Sequence, residues 1–239
     1  METQSIVAFD VPVVGINPLT TIDYPGKTAA VLFTGGCPWN CRYCHNPSCR
    51  DNTGSNGLTW EHIESFLVQR VGFLDGVVVS GGEPTIHANL PVLLYRIRDI
   101  GYSIALHTNG CNPEMLQVLT RKGLVDYVAM DVKAPPYLYE HVTRFSNTGV
   151  RVARSMSVIL ESGVGYEFRT TYHPRILTDY DLMDTVRAVY NAGGRRYYIQ
   201  RFRTMGVSDE ELVRYGDIFD VPGDVIEEAR KLFDVFGIR

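Results

Sequence analysis

Three cysteines, Cys37, Cys41 and Cys44, stand at spacing C-x3-C-x2-C in the stretch Gly35-Gly36-Cys37-Pro38-Trp39-Asn40-Cys41-Arg42-Tyr43-Cys44-His45-Asn46-Pro47. The chain of 239 residues holds only five cysteines, so three in one loop are a signal. Thiolates are soft donors, and such a cluster suits zinc or an iron–sulfur centre. Three ligands leave one coordination position to explain. Either a fourth ligand closes the site, or the position stays open for chemistry. Cys49 could be that fourth ligand, giving structural zinc or an inert electron-carrying cluster. Pro47 and Ser48 make the extra span irregular, and a closed site would leave the polar motifs elsewhere in the chain unexplained. Cys111 reads as a small buried residue.

These cysteines need a scaffold that carries several loops to a common rim. Apolar and β-branched runs predict strands over 29–34, 76–80, 102–107, 124–130, 166–172 and 195–200. Between them, helices are expected over 59–70 capped by Thr59, over 89–100 stopped by Gly101, from Asn112-Pro113 to Gly123, over 150–161, and from Thr178 to 191. Residues 51–58 read as a polar loop. The alternation gives right-handed βαβ crossovers and a parallel sheet. Periodicity leaves an open doubly wound sheet and a partial barrel equally possible, and both put function beyond the carboxyl ends of the strands. Residues 1–28 form an extended, turn-rich lead-in, 29–205 the α/β body, and 206–239 a helical tail of the same domain, broken near Pro222-Gly223.

Each expected strand ends in a polar or glycine-rich motif on the same rim. After the cysteine loop come Ser80-Gly81-Gly82-Glu83-Pro84, then His107-Thr108-Asn109-Gly110, then Asp131-Val132-Lys133. The fifth strand carries Arg169-Thr170-Thr171, and the sixth ends in Gln200-Arg201-Phe202-Arg203. Two glycines let a backbone approach a ligand closely. Asp131 and Lys133 share one strand face, where an internal ion pair and a ligand contact are both open readings. Arg169 suits a carboxylate or a structural salt bridge. His107 alone reads as a satisfied core histidine.

Composition narrows the class further. With 45% hydrophobic residues the chain can bury a sizeable core. A net charge of −4, from 23 basic and 27 acidic residues, argues against general nucleic-acid binding. The basic–aromatic stretch Arg195-Arg196-Tyr197-Tyr198 is short and reads as part of a strand. No apolar run approaches the roughly 18 residues of a membrane span, and Met1-Glu2-Thr3-Gln4 does not open a signal peptide. The cysteine usage fits a reducing cytoplasm.

The cysteine loop resembles the radical S-adenosylmethionine signature C-x3-C-x-aromatic-C, with Tyr43 in the aromatic place. The resemblance covers roughly residues 14 to 205. It implies an α/β fold of the three-quarter (β/α)6 type, a partial TIM-like barrel with the cluster at its open top. It implies that Cys37, Cys41 and Cys44 hold three irons of a 4Fe–4S cluster, while S-adenosylmethionine takes the fourth. Gly81, Gly82 and Glu83 resemble the motif that holds the methionine amine. Asp131 and Lys133 resemble the D-x-K of glycyl-radical-enzyme activases, which serves the ligand's ribose or carboxylate. Tyr43 and His45 are implied contacts of the adenine, Arg169 of the methionine carboxylate, and Thr108 and Asn109 polar contacts. His107 stands where those activases carry an acid that can help bind a cation, and Gln200 and Arg203 are given a place on the rim.

The motifs Thr21-Ile22-Asp23-Tyr24-Pro25-Gly26-Lys27, Tyr43-Cys44-His45-Asn46-Pro47, 125–131 and Gln200-Arg201-Phe202-Arg203 are similar to those of anaerobic ribonucleoside-triphosphate reductase activating proteins in their longer form. The implied reaction is one-electron cleavage of S-adenosylmethionine to methionine and a 5′-deoxyadenosyl radical, which takes hydrogen from a glycine of a partner enzyme. The implied partners are a glycyl radical enzyme and a flavodoxin- or ferredoxin-type electron donor, with no nucleic acid and no membrane. The alternatives are an activase of the pyruvate formate-lyase type, a radical enzyme acting on a small molecule, and a non-enzymatic four-cysteine zinc or electron-transfer module.

Overall fold

Ala29–Thr34 is almost wholly buried, as a strand covered on both faces must be. In the structure, a computed structural model, it is the second of eight strands among the described residues: β1 Val13–Thr20, β2 Ala29–Thr34, β3 Gly76–Gly81, β4 Ser103–Thr108, β5 Tyr127–Asp131, β6 Gly165–Tyr172, β7 Arg196–Arg201 and β8 Val235–Ile238. The structure describes residues 11–51, 54, 58–217 and 220–239. The first ten residues of the lead-in and most of the 51–58 loop therefore lie outside the described residues.

The helices are α1 Pro47–Asp51, α2 Trp60–Val68, α3 Leu90–Asp99, α4 Pro113–Arg121, α5 Tyr139–Thr143, α6 Thr148–Ser162, α7 Asp179–Asn191, α8 Glu210–Tyr215 and α9 Gly223–Leu232. The sequence signals act where they were read. Asn112 caps α4 by accepting from the Met115 N–H at 3.1 Å, with Pro113 in the first turn. Thr178 caps α7 through a reciprocal box with Asp181. The short α1 and α5 were not expected, since five residues are too few for a helical period to show.

The sheet runs β1 to β8 in chain order. From β2 onward every neighbouring pair is parallel. A doubly wound sheet would reverse its order at a switch point. Sequential order with one handedness of crossover puts the helices on one side and curls the sheet into a barrel, which settles what periodicity left open. Strand β1 returns antiparallel along β2, and Pro18 is tolerated there because only one side of β1 is paired. Among the described residues β1 and β8 do not pair with each other and no strand bridges them, so this sheet is open along one side.

Alternate residues split into two cores. Leu32, Val77, Val79, Ile104, Leu106 and Val128 face the helices. Val31, Val78, Ala105, Tyr127 and Ala129 face the barrel axis, where Tyr24 packs on Tyr127 with ring centroids 5.9 Å apart. From residues 21–27, expected to be a simple lead-in, Tyr24 thus packs in the barrel interior, while Ile22 and Pro25 stay exposed.

The tail departs from the helical expectation at its end. Helix α8 ends at Tyr215 and α9 starts at Gly223 with Pro222 as its N-cap, but Val235–Ile238 pairs in parallel with β7, Arg196 opposite Val235 and Ile199 opposite Ile238. Val235, Phe236 and Ile238 have strand character, but four residues carry no readable period. Burial decides: Phe233 stacks on Tyr197 at 4.9 Å between centroids, which delivers the chain to the free edge of β7.

Candidate active site

The carboxyl ends of the strands surround a cavity of about 370 Å³. Cys37, Cys41 and Cys44 all line it, with Tyr43 and His45 from the same loop. Cys49 does not line it; its carbonyl accepts the Gly36 N–H at 2.8 Å, so its main chain ties the loop.

The loop sits on the Gly81-Gly82 turn. Gly81 has φ +117°, and a Cβ there would run into the Thr34 backbone; a Cβ on Gly82 would run into the Gly36 carbonyl. Removing both side chains lets the Gly82 N–H reach the Thr34 carbonyl at 2.8 Å and the Glu83 N–H the Gly36 carbonyl at 2.8 Å. The close approach read from these glycines is therefore, in the first place, an approach to the cysteine loop. Gly81 and Gly82 also line the cavity.

Glu83 lines the cavity but is fully buried. Its carboxylate accepts from Thr85 Oγ1 at 2.5 Å, Thr85 N at 3.0 Å, Thr108 Oγ1 at 2.7 Å and Asn109 N at 2.6 Å. Burial raises its pKa, and these donors oppose the rise. The ties join the ends of β3 and β4, a role that its place in the motif did not reveal. Asn109 then points Nδ2 at Cys37 Sγ, 3.6 Å away.

Asp131, Lys133 and Arg169 line the cavity together, the first two from the shared face their spacing led to expect. Asp131 Oδ1 accepts from Arg169 Nε at 3.0 Å, and Oδ2 from Lys133 Nζ at 3.3 Å. The ion-pair and cavity readings thus hold at once. Burial alone would raise the Asp131 carboxyl, but Arg169 and Lys133 outweigh it and hold it down at about 2. Burial works against the Lys133 charge, and its acidic neighbours Tyr43 and Asp131 more than restore it. The Tyr43 hydroxyl is buried without a partner among the described residues, and Lys133 Nζ lies 5.3 Å from the Tyr43 ring centre.

His107 also lines the cavity, with Nε2 2.8 Å from the Asp23 carbonyl oxygen. Burial, then the nearby Arg169 charge, lowers its pKa to about 4, so the ring is neutral near pH 7. The unfolded chain accepts this proton near pH 6.5, so the neutral ring's contribution is complete above that pH and lost as pH falls toward 4. The loss expected from His107 alone is about 3 kcal/mol. His107→Gln should flatten the acid limb of a urea-midpoint titration between pH 7 and 4.5. A residual slope will remain, because burial lowers His45 and His87 in the same direction.

The structure does not bring the Arg203 side chain to the cavity: it is exposed, and the residue contributes its carbonyl oxygen, 3.1 Å from His45 Nε2. Gln200, given the same rim place, does line the cavity. Phe202 lies 5.7 Å from the His45 ring, and Gly206 sits where a Cβ would strike the His45 carbonyl. Arg42, inside the cysteine motif, reaches Asp209 at 2.7 Å and Glu211 at 2.8 Å, so the segment after β7 clasps the cysteine loop. Sequence reasoning also missed Asp23 and Thr171 as lining residues. The signal for Thr171 was its parity with Arg169; Asp23 lay in a segment read as lead-in.

The donor set fits a cluster better than a single ion. Among the described residues no three His, Cys, Asp or Glu side chains converge at single-metal spacing. A closed zinc site needs such convergence. Three thiols spread along the wall of a roomy cavity, beside an unpartnered hydroxyl and a cationic patch, suit a larger centre with one face left to a ligand. Burial pushes the Cys37 thiol up to about 12 and also raises Cys41, so both wait for a metal before ionising.

Comparison with known proteins agrees with the site. The Radical SAM superfamily profile matches residues 31–196. A Methanocaldococcus jannaschii protein that carries a glycyl-radical enzyme activating enzyme name is 34% identical over 206 residues, 83% of this chain and 82% of its own. The pyruvate formate-lyase-activating enzyme of Staphylococcus aureus is 33% identical over 103 residues, 40% of this chain and 41% of its own. Streptococcus suis SuiB bound to its precursor peptide SuiA superposes with a TM-score of 0.61 at 14% identity, over 87% of this chain. That match spans 48% of the SuiB chain, so this protein covers about half of that structure. The chain belongs to the radical SAM superfamily and, within it, to the family of the glycyl-radical enzyme activating enzymes. It is an enzyme whose cofactors are a 4Fe–4S cluster and S-adenosylmethionine. No helix among the described residues is long and apolar enough to cross a membrane.

Proposed function

We propose that this enzyme generates a glycyl radical on a partner protein, and that the partner is an anaerobic ribonucleoside-triphosphate reductase. The observation that carries the reading is the convergence on one cavity of three cysteines, the Gly81-Gly82 turn and the Asp131–Lys133–Arg169 group. Kinship to proteins named for glycyl-radical enzyme activation and for pyruvate formate-lyase activation supports a protein substrate. The motifs Thr21 to Lys27, Tyr43 to Pro47 and Gln200 to Arg203 favour the reductase among such partners.

Cys37, Cys41 and Cys44 would hold the cluster. When bound, the cluster supplies the electron that breaks a carbon–sulfur bond of S-adenosylmethionine and frees a hydrogen-abstracting 5′-deoxyadenosyl group. The residues of this chain bind, orient and shield. The main chain at Gly81-Gly82 offers the methionine amine its acceptors. Arg169, held by Asp131 through Nε and Nη2, meets the methionine carboxylate. Lys133 and Asp131 meet the ribose, and Tyr43 and His45 flank the adenine. Val31, Phe33 and Trp39 form an apolar wall that keeps water from the reacting carbon. The gap between β1 and β8 admits a glycine-bearing loop from the side. The electron comes from a flavodoxin- or ferredoxin-type donor.

The test is electron paramagnetic resonance of candidate glycyl radical enzymes after anaerobic incubation with the reduced enzyme and S-adenosylmethionine. A glycyl doublet on the reductase is the expected result. A doublet on a pyruvate formate-lyase-type enzyme alone would move the assignment to that partner, and cofactor cleavage with no doublet on any would point to a small-molecule substrate.

A further inference from the structure

Below the cavity, a second buried acid sits on the same face of β6 as Arg169. Glu167 has a side chain only 3% exposed. It accepts from both arms of Arg239, Nη1 at 2.8 Å and Nη2 at 2.9 Å, and from the Tyr127 hydroxyl at 3.0 Å. Its Oε1 also lies 3.9 Å from Arg169 Nη1. Charges therefore alternate up the barrel wall: Arg239, Glu167, Arg169, Asp131, Lys133.

Arg239 is held for this contact. Its main chain bonds β7 on both sides, N–H to the Ile199 carbonyl at 3.0 Å and carbonyl from the Arg201 N–H at 2.8 Å. Its guanidinium lies 3.7 Å from the centre of the Tyr198 ring. That ring in turn passes over Gly237, where a Cβ would come within 2.9 Å of it. Glycine at 237 thus makes room for the ring that carries the guanidinium.

We infer that Arg239 is a positioning residue for the S-adenosylmethionine site, acting through Glu167 on Arg169. The inference rests on the reading above in which Arg169 meets the ligand's carboxylate. Arg169 has two acids to choose from, Asp131 beside the cavity and Glu167 below it. Arg239 occupies both oxygens of Glu167, so the lower acid exerts little pull and Arg169 stays at the rim. Along this wall three cations, Arg169, Lys133 and Arg239, alternate with two carboxylates, Asp131 and Glu167, so the run of charges carries one excess positive charge, which depends on Arg239. Without Arg239 the balance is zero, and the buried Glu167 draws Arg169 down as its only strong partner.

The experiment uses the full chain with its cluster reconstituted, and measures both the dissociation constant of S-adenosylmethionine and the KM and kcat of its reductive cleavage. Arg239→Gln should weaken binding and raise KM by about 10-fold, the size of coupling usual within one charge network, with kcat changed less than about twofold. Glu167→Gln added to Arg239→Gln removes the competing acid and should restore binding to within about threefold of the parent. Arg239→Lys, which keeps the charge, should fall between. A packing role would lower stability in the single variant without raising KM in the folded fraction, and the double variant would not recover affinity. Unchanged binding in Arg239→Gln, or a double variant as weak as the single, would overturn the inference. Arg169→Ala serves as the control: if it binds the cofactor as tightly as the parent, the carboxylate reading fails, and this inference with it.

Discussion

Cys41→Ala is expected to lose the cluster and all cleavage of S-adenosylmethionine, while Cys49→Ala keeps both. The two residues lie in one short segment, and composition alone gives no reason to separate them. Geometry does. Cys41 lines the cavity beside Cys37 and Cys44, whereas Cys49 sits on α1, away from it, with its carbonyl bonded to Gly36. That bond is made by the main chain and survives replacement of the thiol. The thiol of Cys49 is partly buried and raised by burial, as in a packing cysteine. Iron and sulfide analysis after anaerobic reconstitution gives the answer directly. Near-parent iron with near-parent 5′-deoxyadenosine yield is expected for Cys49→Ala, and background values for Cys41→Ala. Equal loss in the two variants would restore the closed four-cysteine site.

Gly82→Ala should be severely damaging for a change of one methyl group. The added Cβ would lie against the Gly36 carbonyl oxygen and 2.7 Å from its carbon, and both belong to backbone that has no rotamer to yield. Relief requires separating the turn after β3 from the cysteine loop, which breaks the bond from the Glu83 N–H to the Gly36 carbonyl. Overpacking plus a lost buried hydrogen bond is worth about 3–4 kcal/mol. A urea midpoint of the metal-free protein measures this cost, and iron content after reconstitution measures the displaced loop. Gly101→Ala is the control: that glycine also has positive φ, +107°, but open space around it, so only local strain is expected and the iron content should hold.

Much of this site was legible because its residues follow strand ends, and strand ends of a parallel sheet share one rim. The six central strands lie where β-branched runs placed them, Ala29–Thr34 to the residue. Asp131 and Lys133 could be placed on one face by parity, while Arg169 joins them through the register that sets it opposite Asp131. Three things resisted. Tyr24 and Asp23 fill the barrel from a turn-rich segment with no period to betray an interior position. The motif around Glu83 shows adjacency and not direction, so the bonds by which Glu83 ties Thr108 and Asn109 to the end of β3 were hidden; they are tertiary. Arg203 and Gln200 differ by one strand end, where the chain leaves the alternation and parity stops predicting the side-chain direction. Strand β8 resisted for the same reason as Arg239: both depend on a partner strand far away in sequence.

The central claim is that three cysteines hold a cluster whose remaining position belongs to S-adenosylmethionine. The most direct measurement is the electron paramagnetic resonance spectrum of the reduced, reconstituted enzyme before and after adding S-adenosylmethionine, with methionine and 5′-deoxyadenosine quantified in the same sample. A spectrum shifted by the cofactor, with the two products formed in equal amounts, is the expected result. A fully loaded cluster whose spectrum ignores the cofactor, with neither product formed, would contradict it.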